Sequence, residues 1–259
     1  MVLSGLADVG QNRLLDGART TLNSVKPPPG SLAAAWRDAA NADVSLAEQL
    51  AMYRDASRTL RPDFARAYDD LVERLAVLDR GDAGPQVGER LEAFNLPDEY
   101  GRLVSLSSLL QSGPAVISIN RGHWCPYCKL ELRSLAAVHG RIRELGASVV
   151  SIMPDAAEYT GGYSRANELP FPLLSDVDLG YSLSLGLIFW IGAEVRRLYE
   201  EAGIDLARYH RGSGYFLPVA AKFVVAQDGV IKARQVNVEF RQRMEPEAVV
   251  ATLRSLKPA

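Results

Sequence analysis

The chain has 259 residues, a formal net charge of −2, and hydrophobic side chains at 47% of its positions. This length and composition suit one large globular domain, or one medium domain with an extension. The near-zero net charge gives no general attraction to nucleic acid or to acidic membranes, and the sequence has no apolar run long enough to span a bilayer.

Residues 1–80 are predicted to form an all-helical extension. An apolar stripe at helical spacing covers residues 3–25 and ends at a run of prolines. Ser45 and Glu48 have the spacing of a capping box at the start of a second helix. Pro62 suits the first turn of a third helix. These helices carry no motif with assignable chemistry, so we expect them to pack on the rest of the chain or on another subunit.

A glycine-rich linker at residues 81–85 precedes the predicted second domain, residues 86–259. Apolar runs, helical periodicity and turn residues predict its elements in order: strand 115–119, helix 126–145, strand 148–152, helix 156–166, strands 222–225 and 230–233 around the turn at 227–229, and helix 246–256. A strand–helix–strand unit followed by a hairpin and a helix predicts an α/β fold with a mixed sheet.

The two cysteines of the chain, Cys125 and Cys128, lie between a predicted buried strand and a predicted helix. A disulfide that closes so short a loop adds little stability, so a structural disulfide is disfavoured. Free N–H groups and the helix dipole lower a thiol pKa at a helix start. Residues i and i+3 share a helix face, so the two sulfurs can meet. The pattern predicts a redox-active dithiol.

Other roles for the pair and its neighbours stay open at this point. A C-x-x-C pair could be half of a zinc site, but the sequence has no second cysteine pair, and the spacing of its three histidines fits no zinc pattern. His123 is compatible with a role in favouring the thiolate and with simple packing. Trp124 would shield the sulfurs, Arg121 would add positive potential if it turns inward, and Tyr127 is expected to be exposed. Pro126 stands where a missing N–H has no cost.

The segment from Val87 to Leu256 contains several recognisable motifs. The most specific is Arg121-Gly122-His123-Trp124-Cys125-Pro126-Tyr127-Cys128. Supporting motifs are Val87-Gly88-Glu89, Phe94-Asn95-Leu96-Pro97, the stretch 101–106, and Phe171-Pro172-Leu173-Leu174-Ser175-Asp176. With these motifs the segment resembles the AhpC/TSA peroxiredoxin-like family of the thioredoxin superfamily, in its branch with a C-x-x-C site and a helical N-terminal extension. The resemblance implies a thioredoxin-like fold, thiol-dependent redox activity and frequent dimers.

The resemblance leaves the order of attack open. In ordinary peroxiredoxins a threonine stands three residues before the peroxidatic cysteine, which would make Cys128 the attacking residue. In thioredoxin-like proteins the first cysteine is the exposed attacker, which favours Cys125. Ala220 stands where this branch usually has a cis proline facing the cysteines, and a non-proline cis bond costs about 2.5–4 kcal/mol. Lys222 stands where threonine is common, facing either the site or solvent.

These observations predict a thiol-disulfide oxidoreductase of peroxiredoxin-like type, which reduces peroxides or exchanges disulfides through Cys125 and Cys128. A catalytically weak redox-sensing or binding module with the same fold is the alternative. The expected partners are a peroxide or disulfide substrate and a thiol reductant, either a thioredoxin-like protein or a small thiol. We expect no cofactor, metal, nucleic acid or membrane partner. The resemblance makes a homodimer one possible assembly, and the sequence leaves the oligomeric state open. The first ten residues lack a secretory pattern, which makes the cytoplasm the expected location.

Overall fold

A computed structural model describes residues 27–78, 84–212 and 214–256. Within these residues the helices are α1 (Leu32–Asn41), α2 (Leu46–Leu60), α3 (Pro62–Val77), α4 (Leu106–Ser112), α5 (Pro126–Glu144), α6 (Ala157–Ala166), α7 (Gly180–Ser184), α8 (Ala193–Glu201), α9 (Leu206–His210) and α10 (Pro246–Ser255). The strands are β1 (Asn95–Pro97), β2 (Leu103–Ser105), β3 (Ala115–Ile119), β4 (Ser148–Met153), β5 (Leu173–Ser175), β6 (Ile188–Trp190), β7 (Phe216–Pro218), β8 (Ala221–Val225) and β9 (Ile231–Val236). In this part of the chain no helix is both long and apolar enough to cross a membrane.

The central sheet has five strands in the order β5-β4-β3-β8-β9. Strands β3, β4 and β5 are parallel, whereas β8 is antiparallel to both of its neighbours. All five residues of the central strand β3 are buried, as its apolar sequence predicts for a strand covered on both faces. The prediction of an α/β fold with a mixed sheet is confirmed, and the predicted elements 115–119, 126–145, 148–152 and 246–256 agree with the observed ones to within one residue.

Two hydrophobic cores lie on opposite faces of this sheet. On one face, α5 and α10 cover the sheet, and Leu135 and Val249 pack against Val116 of β3. On the other face, Ile117 and Phe223 pack with residues of α3 and α8. Successive residues of a strand point to opposite faces, so β3 supplies both cores from one apolar run.

The described part of the helical extension packs directly on the α/β domain. Helix α2 lies on α5, and helix α3 lies on α8. The predicted capping box is confirmed, because Ser45 accepts from the Glu48 backbone N–H at 3.3 Å while Glu48 accepts from the Ser45 backbone N–H at 2.9 Å. Glu245, just before α10, accepts the Ala47 backbone N–H at 2.7 Å. A side chain of the α/β domain therefore caps a helix of the extension. The predicted stripe over residues 3–25 lies outside the described residues.

Several short elements were not predicted from the sequence. Strands β1 and β2 form one small antiparallel pair, and β6 and β7 form another. Each of these strands has only three residues. A run of three residues is too short to display a period of two, so tertiary contacts rather than local pattern decide these pairs.

We predict that Leu50→Ala lowers the free energy of unfolding by about 2–5 kcal/mol. Leu50 is 1% exposed and packs in the cluster that joins α2 to α5, so truncation leaves a cavity between the two helices. Urea unfolding followed by circular dichroism measures the change. Met52→Ala on the same helix is the matched control, since Met52 is 42% exposed and its truncation should cost about 0.5 kcal/mol or less. Equal losses in the two variants would contradict the packing of α2 on α5.

Candidate active site

The candidate site lies where β3 ends and α5 begins. The chain turns through residues 121–124, Cys125 is the N-cap residue of α5, and Pro126 is its first residue. Gly122 has a φ of +143°, and a Cβ at this position would lie 2.4 Å from Nε1 of Trp124. Only glycine fits there without movement of the loop. Because Cys125 is the N-cap residue of α5, its sulfur lies at the positive end of a long helix, as the sequence predicts.

The structure brings the two cysteine sulfurs together. Both residues are free thiols, and a hydrogen bond joins their side chains. The backbone N–H of Arg121 donates to Sγ of Cys128 at 3.4 Å. Nη2 of Arg243 lies 3.8 Å from the same sulfur. The two cysteine side chains are therefore direct neighbours, with Arg121 and Arg243 beside them.

The site is more buried than the sequence indicates. We expected Cys125 and Tyr127 to be exposed, but they retain 1% and 3% of their accessible surface. The helical extension is the cause, because the Tyr127 ring packs edge-on against Tyr53 of α2, with 5.2 Å between the ring centroids. Phe240 covers another edge of the Tyr127 ring. Trp36 of α1 also reaches the site helix, and its Nε1–H donates to the carbonyl of Pro126 at 3.0 Å.

A cavity of about 110 Å³ remains beside Cys125. The α/β domain contributes Arg121, Trp124 and Cys125 to its wall. The extension contributes aromatic and polar side chains to the opposite wall: Tyr53, Ser57, Arg61, Phe64 and Tyr68. A larger cavity of about 530 Å³ lies at the end of α3 against β6 and β7, with an apolar lining whose one ionisable side chain is Arg74. Of these two cavities, only the smaller one is lined by a cysteine, Cys125, so it is the candidate reaction chamber.

Arg121 turns inward and lies in an aromatic cage. Its side chain is 1% exposed, and Nη2 donates to the hydroxyl of Tyr199 at 2.6 Å. The guanidinium carbon stands 3.9 Å from the ring centroid of Phe240 and 5.8 Å from that of Tyr68. The Tyr68 hydroxyl lies 3.1 Å from the Tyr199 hydroxyl, within hydrogen-bonding distance. Aromatic faces attract a cation without neutralising it, so the positive charge stays available to a nearby anion.

The electrostatics of the site separate the two thiols. Burial opposes ionisation of Cys125, but the hydrogen bond with Cys128 and the positive charges of Arg121 and Arg243 outweigh it and lower the pKa of Cys125 to about 6. Burial, reinforced by the hydrogen bond and the charge of Cys125, raises the pKa of Cys128 well above its ordinary value. The pair therefore holds one thiolate near neutral pH, and the negative charge lies on Cys125.

A buried ion cluster beside Cys128 was missed by the sequence analysis. Glu131 accepts from Lys222 Nζ at 3.0 Å, from Ser118 Oγ at 3.1 Å and from Nε of Arg243. Lys222, which we expected at the site or in solvent, is 1% exposed and also donates to the carbonyl of Met244 at 3.1 Å. Ser118 and Lys222 are direct partners in the β3–β8 register. Two polar residues inside otherwise apolar strands were the available sequence signal.

His123 contacts the buried carboxylate of Asp155. Its backbone N–H donates to Oδ2 of Asp155 at 2.6 Å, and its Nδ1 lies 3.2 Å from the same oxygen. Its ring stacks on Tyr159 with 5.3 Å between centroids. His210 approaches the other carboxylate oxygen at 3.6 Å. These contacts join the loop that carries Cys125 to the residues that follow β4.

Ala220 and Trp124 differ in their relation to the site. Ala220 is 4% exposed and lies between β7 and β8, and the described residues contain no cis peptide bond. It does not line the sulfur cavity, whereas Trp124 does and packs edge-on against Tyr199 at 5.1 Å.

The zinc alternative finds no support in the part of the chain that the structure describes, where no three His, Cys, Asp or Glu side chains form a ligand group.

Comparison with known proteins places this chain in a family. The AhpC/TSA family model matches residues 87–234. The chain belongs to the AhpC/TSA family. Chloroplastic peroxiredoxin Q of Sedum lineare is 32% identical over 164 residues, which are 63% of this chain and 75% of the relative. A putative peroxiredoxin of Mycobacterium tuberculosis is 28% identical over 152 residues, which are 59% of this chain and 85% of the relative.

Solved structures agree on the fold of this AhpC/TSA family member. Peroxidoxin BcpB of Mycobacterium tuberculosis has a TM-score of 0.53 at 21% identity, over 67% of this chain and 99% of that one. Peroxiredoxin 6 of Arenicola marina has a TM-score of 0.52 at 15% identity, over 67% of this chain and 74% of that one. The predicted thioredoxin-like fold is confirmed. Family membership supports a thiol-dependent oxidoreductase that reduces peroxides, and the alternative of a sensing or binding module is not favoured.

We predict that the ultraviolet absorbance of the thiolate in the reduced protein rises with pH through a midpoint at about 6, the value to which the site lowers the pKa of Cys125. Arg121→Met should raise this midpoint by about one unit or more, because a buried positive charge is lost beside the sulfur. Arg121→Lys should restore part of the shift.

Arg102→Met is the control for this titration, since Arg102 is 73% exposed and pairs with Asp98 instead. Its midpoint should equal that of the unmodified chain. A midpoint near the ordinary thiol value of about 8.5 in the unmodified chain would contradict the proposed stabilisation of the thiolate.

Proposed function

We propose that this protein reduces hydroperoxides with Cys125 as the attacking residue and Cys128 as the resolving residue. The observation that carries the proposal is the pair of hydrogen-bonded thiols at a helix start, with a lowered pKa at Cys125 and a raised pKa at Cys128. A peroxidase needs an ionised sulfur at the substrate and a second thiol in reserve. Only Cys125 of the two lines the cavity, which favours it over the opposite order of attack.

The reaction then proceeds in three balanced steps. The Cys125 thiolate attacks the terminal oxygen of a hydroperoxide, the O–O bond breaks, and Cys125 becomes a sulfenic acid. The leaving alkoxide takes up one proton from water and departs as the alcohol. The thiol of Cys128 attacks this sulfur, and water leaves as the Cys125–Cys128 disulfide forms. Two equivalents of an external thiol then reduce the disulfide and are themselves oxidised to a disulfide. No step needs a metal, flavin or nucleotide.

Two arginine side chains bring positive charge to Cys125 from positions other than the one that is common in peroxiredoxins. Peroxiredoxins often place an arginine near the position of Ala220, and this chain has none there. Arg121, from the loop before Cys125, and Arg243, from the segment before α10, lower the pKa of Cys125 instead. We infer that these two guanidinium groups also stabilise the negative charge that develops on the leaving oxygen.

We also propose a division of the chain into a helical extension, residues 1–80, and a catalytic domain, residues 86–259. In support, the family model begins at residue 87, and the described helices α1 to α3 contribute no strand to the central sheet. The extension forms one wall of the reaction chamber.

We place the enzyme in the cytoplasm, where thiol pools keep such a pair reduced, and we propose a homodimer as the assembly.

We predict that the Cys125→Ser and Cys128→Ser variants are blocked at different steps of peroxide reduction in a single-turnover experiment without external thiol. Cys125→Ser should lower the rate of peroxide consumption by roughly a thousandfold or more, because the nucleophile is lost. Cys128→Ser should consume one equivalent of peroxide and stop at the sulfenic acid, because no thiol resolves it. Peptide mass spectrometry after graded peroxide identifies both products.

The unmodified chain is the reference in this experiment and should lose two hydrogens on forming the internal disulfide. Undiminished peroxide consumption in both variants would eliminate the mechanism. A sulfenic acid on Cys128 in place of Cys125 would reverse the assigned order of attack.

A further inference from the structure

The buried surroundings of the two sulfurs carry more positive than negative charge. Arg121, Lys222 and Arg243 are all buried. Glu131, also buried, pairs with Lys222 and Arg243. Among the described carboxylates none pairs with Arg121, whose polar side-chain contact is the neutral hydroxyl of Tyr199. Two of the three cations thus share the Glu131 carboxylate, and the third has no carboxylate partner among the described residues, in a desolvated region where uncompensated charge is costly.

The reduced enzyme supplies a further anion, and the oxidised enzyme does not. In the dithiol form the Cys125 thiolate offsets part of the excess charge, and this attraction adds to the hydrogen bond with Cys128 in lowering the pKa of Cys125. In the disulfide form neither sulfur carries a charge, so Arg121 and Arg243 lose an anionic partner. The cluster therefore favours the dithiol over the disulfide. A stabilised reduced form makes a disulfide strongly oxidising and easy to reduce.

The shape of the site restricts what can deliver the reducing thiol. Tyr53, Phe64 and Tyr68 of the extension stand over the cavity that holds Cys125, and Cys128 lies behind Cys125 with no exposed surface. The cavity of about 110 Å³ has the volume of a few water molecules, at about 30 Å³ each. The thiol-bearing end of a small molecule fits this space, whereas the active-site surface of a reductase protein does not.

We propose that a low-molecular-weight thiol, rather than a dithiol protein, reduces the Cys125–Cys128 disulfide, and that Lys222 and Arg243 tune the disulfide for this reductant. The inference rests on the proposed function and adds the class of its reductant. One thiolate attacks a sulfur of the disulfide and forms a mixed disulfide. A second thiol then releases the reduced enzyme and leaves with the first as an oxidised thiol dimer, so two electrons and one proton enter the enzyme, which returns to a Cys125 thiolate and a Cys128 thiol.

The potential of the couple tests the role of the charge cluster. Lys222→Met removes one cation and leaves the Glu131–Arg243 pair, so the equilibrium should shift toward the disulfide by on the order of tenfold, or about 30 mV toward more negative potential. Glu131→Gln should shift the potential in the opposite direction. The measurement is equilibration in glutathione redox buffers followed by alkylation and mass spectrometry.

The control for these variants is Lys232→Met, a similar change on the neighbouring strand β9 at an exposed position, and it should leave the potential unchanged. Thermal unfolding of each reduced variant verifies that it is folded. If Glu131→Gln does not fold, Lys222→Met still decides. An unchanged potential in Lys222→Met would overturn the role of the cluster.

Steady-state turnover with a hydroperoxide tests the class of reductant. Glutathione and 2-mercaptoethanol at millimolar concentration should each sustain turnover, and thioredoxin with its reductase should add none above the rate without reductant. Turnover that thioredoxin sustains and the small thiols do not would overturn this inference and leave the proposed function intact. Absence of turnover with every reductant, dithiothreitol included, would overturn the proposed function itself.

Discussion

The structure depends on the electrostatic balance around two buried sulfur atoms. A thiol moved out of water resists ionisation, so burial alone would leave both cysteines neutral and unreactive. The hydrogen bond with Cys128 and the positive charges of Arg121 and Arg243 reverse this for Cys125, and the charges act in a region where little water screens them. The aromatic rings around Arg121 hold the guanidinium in place without supplying a negative charge. The surroundings of the site therefore stabilise the negative charge of the Cys125 thiolate.

This balance connects parts of the chain that are distant in sequence. Arg243 approaches Cys128 across 115 positions, and Lys222 reaches Glu131 because β8 pairs with β3 in a register that sets Lys222 beside Ser118. A shift of one residue in that register would turn Lys222 to the opposite face of the sheet. The central sheet thus determines the charge beside the sulfurs as well as the core of the domain.

The helical extension belongs to the site rather than to the periphery of the molecule. It contributes Tyr53 and Tyr68 to the cavity wall, and Tyr68 contacts the same tyrosine hydroxyl that accepts from Arg121. The carboxylate of Glu245, just before α10, also accepts a hydrogen bond from the backbone N–H of Ala47 at the start of α2. The two regions are joined by polar contacts as well as by apolar packing, so the extension affects access, desolvation and the position of Arg121 together.

The sequence by itself determined the α/β class, the central strand and helix around the dithiol, the capping box of α2 and the meeting of the two sulfurs. Each of these depends on spacing within one turn or one strand, which local periodicity and capping residues record. Only the tertiary structure decided that Cys125 and Tyr127 are buried, that Lys222 joins an internal ion cluster, and that His123 binds Asp155. The burial arises where α2 meets the start of α5. The ion cluster forms where β8 and the segment before α10 meet α5, and the His123 contact forms where the residues after β4 meet the loop before α5. Contacts between segments so far apart depend on how whole elements pack, and no local pattern in the sequence encodes that packing.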